Sequence, residues 1–290
     1  ANEENKTRSG QIMNKLTILV TGSAGFLGGH TYRYMKEQGH TVTGIDMDKD
    51  IFKYGLPDQR FDVLIHFAAF VGGRKGIDNN LYRITKNIEL DRQVIQWAET
   101  QVDRMIYPSS CAAYPKALQT QQGTPMHEGM MGGETFDMYG MSKLATECML
   151  KFAKVKSHII RPFTIYGPGQ STDYPLPAII QRAKRGECSV WGSGTQVRDW
   201  LHIDDALKVF EYLVHREEPI VVNIGTGIPM NFKQVAQTVY KEIHGDYSIN
   251  LRTQTDEPEG ASYRYADITL LKSLGLEPKI SFAEGVRSMI

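Results

Sequence analysis

The chain has 290 residues, 33 basic against 33 acidic side chains and 41% hydrophobic residues, which suits one large domain or two intimate ones with a sizeable core. The balanced charge offers no basic field to nucleic acid or an acidic membrane surface, and no apolar run is long enough to span a bilayer. Cys111, Cys148 and Cys188 lack disulfide or metal-ligand spacing, so free thiols, no metal and a cytoplasmic location are expected.

The first twelve residues, ANEENKTRSGQI, are polar, lack a signal-peptide core and read as a disordered leader or tag, with Met13 as the native start. Leu16–Val20 reads as a short buried strand and Phe26–Gln38 as a helix ending at Gly39. Between them runs TGSAGFLG, Thr21–Gly28. A strand, a glycine-rich turn and a helix build a dinucleotide-binding corner. Gly22 permits the tight turn, Gly25 lets the backbone approach a pyrophosphate at the helix N-terminus, and Gly28 lets the helix pack on the strand. A second strand, Thr41–Ile45, ends at Asp46, about 20 residues past the loop, where a carboxylate binds the adenosine ribose hydroxyls. A carboxylate there repels a 2′-phosphate, which favours NAD over NADP.

The link Met47–Arg60 is short for such a fold, so one sheet element is expected to be missing or reduced. The strand Phe61–Phe67 contains His66, read as a packing residue, and runs into Ala68 and Ala69, small enough for a cofactor to approach. Gly72, Gly73, Arg74, Lys75 and Gly76 form a loop that either contacts substrate phosphates or is simply solvated. Leu81–Thr100 reads as a long helix, with Ile84, Ile88, Val94, Ile95 and Trp97 among its apolar positions. The strand Asp103–Tyr107 ends in Pro108, Ser109, Ser110 and Cys111. Ala117–Glu134 reads as a loop, Met138–Ala153 as a helix, and Ser157–Arg161 as a strand followed by Pro162, Phe163 and a turn at Tyr166–Gly169.

Farther on, Pro175–Arg185 reads as a helix, Ser189–Trp191 as a strand and Gly192–Gly194 as a turn. Asp204–His215 is a helix capped by Asp204 and Asp205. Ile220–Ile224 is a strand that rejoins the main sheet; Asn231–Ile243 and Ile268–Leu274 are helices. The alternation predicts an α/β fold, a Rossmann-type doubly wound parallel sheet with a smaller C-terminal α/β substrate-binding region. Residues 13–165 are expected to form the NAD-binding domain and 166–290 mainly the substrate region, with about 200–228 rejoining the sheet.

Tyr139 and Lys143, in MYGMSK, stand four apart, on one face of a helix. An ammonium beside a phenol favours the phenolate and lowers a pKa that is ordinarily ~10. Such a tyrosine can take a proton from a sugar hydroxyl as hydride leaves the carbon. Ser110, at the preceding strand end, can hydrogen-bond the same hydroxyl.

At these residues the chain resembles the extended short-chain dehydrogenases, and within them the NAD-dependent nucleotide-sugar epimerase/dehydratase family. TGSAGFLG, IHFAA, PSSCAAYP, YGMSK, RPFTIYGPGQ and VRDWLHIDD occur in the family's order, followed by PEGASYRYAD, LGLEP and FAEG. The resemblance covers nearly all of Met13–Ile290. It implies a catalytic group of Tyr139, Lys143 and Ser110. It implies NAD contacts from Gly22, Gly25, Phe26, Leu27 and Gly28, then from Asp46, Phe67, Ala68, Ala69, Asn87, Lys143 and Pro162. It implies a nucleotide-diphosphate sugar as substrate, touched by Ser110, Tyr139 and Thr164, with Arg198 gripping the diphosphate and Arg264 either assisting or lying at the surface. It also implies a homodimer through the two long helices Leu81–Thr100 and Met138–Ala153.

The departures narrow the reaction. The family's dehydratases carry an acidic pair just after the catalytic Ser/Thr, where this chain has Cys111 and Ala112. Some members carry a catalytic cysteine nearby; counting back from Tyr114, Ala112 occupies that place, so Cys111 reads as a packing residue. Thr164 stands where the family's RxxN element often has asparagine. The expected activity is a nucleotide-sugar epimerase working through a transient 4-keto sugar. The alternatives are a 4,6-dehydratase or 4-dehydrogenase/reductase of the same family, and a dinucleotide-sensing regulator, which needs no Tyr-Lys pair.

Overall fold

The computed structural model describes residues 14–46, 50–71, 81–120, 123–245, 251–254 and 260–290. The leader 1–12, Met47 and the Gly72–Gly76 loop lie outside these residues. The chain begins with β1 (Thr17–Thr21), α1 (Phe26–Glu37), β2 (Thr41–Ile45), a single-turn α2 (Ile51–Tyr54), β3 (Phe61–His66), the long α3 (Leu81–Gln101) and β4 (Val102–Pro108). A 3₁₀ turn at Cys111–Ala113 leads to α4 (Lys116–Thr120), α5 (Met138–Leu150), β5 (Lys156–Pro162), β6 (Thr164–Tyr166), α6 (Pro175–Lys184), β7 (Ser189–Trp191), β8 (Val197–His202) and α7 (Ile203–His215). Then come β9 (Val221–Ile224), β10 (Pro229–Asn231), α8 (Phe232–His244), β11 (Arg252–Gln254), β12 (Tyr263–Arg264), α9 (Thr269–Ser273) and α10 (Phe282–Arg287).

Six strands form one parallel sheet in the order β2-β1-β3-β4-β5-β9. Parallel strands need both faces covered, and the alternation of side chains divides the core accordingly. On one face Ile18, Val20, Val63 and Ile65 pack with Phe210 and Leu213 of α7. On the other, Leu19, Leu64 and Met105 pack with Val94 and Ile95 of α3. The sheet is therefore doubly wound, as the alternation of elements implied. The strand read at Ile220–Ile224 does return to it, as β9 beside β5. Among the described residues between Asp46 and β3 the chain makes a single helical element, α2, capped by Asp50 accepting from the Phe52 N–H at 2.9 Å, and β2 stands at the sheet edge.

The C-terminal region is built on β8, which pairs with β10, β12 and β6. Neither β6 nor β8 is read from the sequence: β6 has three residues, and β8 interleaves Arg198, Asp199 and His202 with apolar positions. The stretch read as a loop from Ala117 contains part of α4, and α5 ends at Leu150 rather than Ala153. The cap of α7 also differs. His202 Nδ1 accepts from the Asp204 N–H at 3.3 Å, while Asp205 turns inward and accepts from the Lys279 and Ile280 N–H groups at 2.9 and 2.8 Å. No helix of the described residues is long and apolar enough to cross a membrane. The three cysteines are free, with Cys148 exposed.

Candidate active site

The C-terminal ends of β1, β2, β3, β4 and β5 open on a cavity of about 800 Å³, the crevice in which open α/β sheets bind ligands. Gly22 has φ 71°, a region open to glycine but strained for other residues. A Cβ on Gly28 would lie 2.0 Å from the Gly22 carbonyl oxygen, so α1 can start this close to β1 only with glycine there. Gly25 is the N-cap of α1 and supplies no side-chain cap. The first backbone N–H groups thus remain available to an anion. Phe26 and Leu27 continue the wall. Asp46 accepts from the Ala24 N–H at 2.6 Å, which pins the end of β2 to the glycine turn. Phe67, Ala68, Ala69 and Pro162 complete this end of the cavity. Asn87 stands behind the wall: it is buried and clamps the backbone of Phe70, accepting from its N–H at 2.6 Å and donating to its carbonyl at 2.9 Å. A strongly built cradle of backbone donors with a carboxylate at the second strand end fits a dinucleotide.

Ser110, Tyr139 and Lys143 meet on the same cavity. Asp137 caps α5 by accepting from the Gly140 N–H at 2.9 Å. A Cβ on Gly140 would lie 2.2 Å from the Ala112 carbonyl oxygen, so this glycine lets the helix press against the turn after Ser110. Ser110 Oγ accepts from the Ala112 N–H at 3.1 Å. Lys143 Nζ donates to the Pro108 carbonyl at 2.9 Å and lies 4.7 Å from the Tyr107 ring centroid and 6.0 Å from that of Tyr139. Burial lowers the Lys143 ammonium pKa. The expectation that Lys143 lowers Tyr139 does not hold for the chain alone. Burial pushes the Tyr139 phenol well above its ordinary value, with Tyr174, Cys111 and Asp137 acting the same way and Ser110 opposing them. The ammonium is spent on a carbonyl and a ring face, too remote to reverse desolvation.

Beneath these groups lies a buried polar network invisible in the local sequence. Glu147, one turn after Lys143, accepts from Arg161 Nε at 3.0 Å and Nη2 at 2.7 Å, and from the Ser109 hydroxyl. Arg161 Nη1 reaches the Tyr114 hydroxyl at 3.2 Å, and that hydroxyl donates to Asn223 at 2.7 Å. Glu128 accepts from the Asn223 N–H at 2.8 Å, and the exposed His127 accepts from the Gly129 N–H at 3.0 Å. Neither His127 nor Glu128 lines the cavity. His66, in contact with the cavity, is held between Thr21 Oγ1 at 2.6 Å and Asp91 Oδ1 at 3.0 Å.

Thr164, Arg198 and Arg264 line the part of the cavity reached by β6, β8 and β12. Arg198 Nη1 donates to the Val197 carbonyl at 2.7 Å, and its guanidinium lies 5.7 Å from the Phe232 ring centroid. Arg264 is half-buried, its Nε donates to Gln119 at 2.7 Å, and its Nη2 is buried without a hydrogen-bond partner among the described residues. Two further wall residues escape the sequence reading. Gln196 is 4% exposed, and among the described residues neither its amide atoms nor the buried Arg182 Nε has a hydrogen-bond partner. The available signal is spacing: Gln196 and Arg198 stand two apart at the start of a strand, hence on one face. Cys111 is buried in the core, and burial pushes its thiol up despite Arg264 and Arg198 nearby.

The profile of the family described as "NAD dependent epimerase/dehydratase family" matches residues 18–225. Among curated proteins, a putative GDP-L-fucose synthase 2 of Arabidopsis thaliana is 27% identical over 98% of this chain and 93% of its own length. GDP-mannose 3,5-epimerase 1 of Oryza sativa subsp. indica is 28% identical over 94% and 80%. Among solved structures, UDP-glucose 4-epimerase with UDP-glucose from Thermotoga maritima superposes with a TM-score of 0.81 at 25% identity, covering 94% of this chain and 97% of that one. MoeE5 in complex with UDP-glucuronic acid and NAD gives 0.80 at 24% identity, again over 94% and 97%, a likeness of fold.

Proposed function

The chain belongs to the NAD dependent epimerase/dehydratase family, and on that premise we propose that it is a nucleotide-sugar epimerase acting through a transient 4-keto sugar. NAD, when bound, would supply the hydride acceptor and donor for that interconversion. The glycine turn would hold its pyrophosphate at the start of α1 and Asp46 its ribose hydroxyls, with Phe67–Ala69 and Pro162 lining the remainder. Tyr139 removes the proton of the sugar hydroxyl and later restores it. Lys143 supplies the positive charge that favours the phenolate, and Ser110 orients the hydroxyl. Arg198 and Arg264 grip the diphosphate; Gln196 and Arg182 add hydrogen bonds to the nucleotide.

One observation favours epimerisation over loss of water. After Ser110 come the buried Cys111 and Ala112, where elimination needs carboxylates. The carboxylates of Asp46, Asp50, Asp137 and Asp173, on the cavity wall, already accept hydrogen bonds from their own chain. The test is incubation with UDP-, GDP-, dTDP- and CDP-sugars, read by mass spectrometry and NMR. A stereoisomer of unchanged mass, with no build-up of reduced cofactor, is expected. A product lighter by one water makes the enzyme a dehydratase, and accumulating NADH makes it a dehydrogenase. Tyr139→Phe should cut turnover by roughly two to four orders of magnitude while folding and NAD content persist.

The same reading includes a homodimer. α3 and α5 pack side by side, and Tyr82 on α3, Met141 on α5 and Phe152 just past α5 are exposed, at 84%, 37% and 90%. Light scattering should give twice the chain mass.

A further inference from the structure

Asp91, on α3, is a carboxylate at 1% exposure that the proposed chemistry does not use. It accepts from His66 Nε2 at 3.0 Å, from the Tyr107 hydroxyl at 2.7 Å and from Thr146 Oγ1 at 2.6 Å. Thr21 Oγ1 accepts from the Ala68 N–H at 3.2 Å and meets His66 Nδ1 at 2.6 Å, a pattern that puts the imidazole proton on Nε2, toward Asp91. Asp91 thus gathers donors from β3, β4 and α5.

Four charged side chains are buried under the reacting corner: Asp91, Lys143, Glu147 and Arg161. Glu147 is committed to Arg161 and Ser109. Lys143 donates to a neutral carbonyl and rests on the face of Tyr107, the ring whose hydroxyl reaches Asp91. Thr146, which also reaches Asp91, stands three residues after Lys143 on α5. Arg161 and Glu147 form an ion pair at 2.7 Å, whereas Lys143 and Asp91 are linked through Tyr107, whose ring face meets the ammonium and whose hydroxyl donates to the carboxylate; Thr146 ties Asp91 to the same helix, α5.

The geometry points to Asp91 as the counter-charge of Lys143 and a positioning residue of the reaction, holding the ammonium charged and α5 in register beneath Tyr139. This assignment rests on the proposed roles of Tyr139 and Lys143. The electrostatics agree with it. Burial lowers the Lys143 pKa, while Asp91 and then Glu147 raise it. Burial would raise the Asp91 carboxyl, but His66, Lys143 and Thr146 bring it below its ordinary value. Burial and the Asp91 charge hold the Tyr107 phenol well above its ordinary value, so it stays a donor. The titratable groups facing this pair are thus His66 on β3, Tyr107 on β4, and Tyr139 and Glu147 on α5.

The decisive variant is Asp91→Asn, which keeps the shape and deletes the charge. Removing a negative charge makes the local potential more positive, so the pKa values of both Lys143 and Tyr139 fall. The whole bell of kcat against pH should move toward acid by about one unit, the scale of a nearby opposite charge, with KM for the nucleotide sugar unchanged. In ¹⁵N-lysine-labelled protein the Lys143 Nζ resonance, identified by its loss in Lys143→Met, should titrate at correspondingly lower pH, a readout independent of turnover. If Asp91→Asn does not fold, Asp91→Ser, smaller and also neutral, should give the same displacement. A lowered kcat with both limbs and the lysine titration unmoved would reduce Asp91 to a structural role and overturn the assignment. Activity surviving in Tyr139→Phe would instead overturn the reading it rests on, leaving the lysine titration to judge Asp91 separately.

Discussion

Two parts of one cavity treat buried polar groups in opposite ways. Under Ser110, Tyr139 and Lys143, the charges of Glu147, Arg161 and Asp91 are matched within the chain by short, multiple hydrogen bonds. On the part built from α6, β8 and β12, Arg182 Nε, Arg264 Nη2 and both amide atoms of Gln196 are buried with no hydrogen-bond partner among the described residues. An unpaired buried donor costs about 1–3 kcal/mol, so the second arrangement is stable only at some expense in the chain alone. The contrast separates two tasks. On the proposed function, the groups assigned to catalysis must stand in place before the substrate arrives, whereas the wall assigned to recognition keeps hydrogen-bonding capacity for a ligand rich in acceptors.

The sharpest way to break this contrast is Glu147→Gln, which strips a buried arginine of its counter-ion. It should destabilise the fold by roughly 3–5 kcal/mol, read as a fall in the urea midpoint. A loss under ~1 kcal/mol, the worth of an exposed pair, would mean that the floor is no more rigid than the surface. Arg198→Ala probes the other part. It should leave the unfolding midpoint nearly unchanged and weaken nucleotide-sugar binding by about 1.5–3 kcal/mol, the worth of a hydrogen bond to a charged group, with NAD binding intact. Calorimetry showing unchanged substrate affinity would remove Arg198 from the site. Asp46→Ala should have the smallest effect, lowering NAD affinity about tenfold, or ~1.4 kcal/mol. NADP affinity should fall less, because the repulsion of its 2′-phosphate goes as well. Wild-type protein that binds NADP as tightly as NAD would sink the assignment of Asp46.

The two parts were not equally legible in the sequence. Gly22, Gly25, Gly28 and Asp46 sit within one strand-turn-helix-strand unit, and Tyr139 and Lys143 within one helical turn, so spacing alone brings them together. The matched floor joins α3, β3, β4, α5 and β5, and its pairings form only when those elements meet in three dimensions. Asp91 in its helix looks like any polar residue until Tyr107 and Thr146 reach it. The cap of α7 failed to be legible for a similar reason: the Lys279 and Ile280 N–H groups, far along the chain, draw Asp205 inward. The short β6 and the mixed β8 carried too little periodicity to be read. The spacing puts Tyr139 and Lys143 on one face of α5, but in the chain alone burial raises the Tyr139 phenol, because a helical spacing reports neighbours and not desolvation.

The return of β9 to the sheet also has a consequence for synthesis. A ribosome makes β1 to β5 first, yet β5 gains its outer neighbour only when Val221–Ile224 emerges, and the face carrying Ile18 and Val20, which α1 covers in part through Met35, is completed only once Phe210 and Leu213 follow. Until then the nascent chain carries an open parallel edge and an apolar face covered only in part, the features that recruit chaperones and invite aggregation. A message cut short after β5 would therefore yield no spare dinucleotide-binding module, only a sticky fragment for proteolysis.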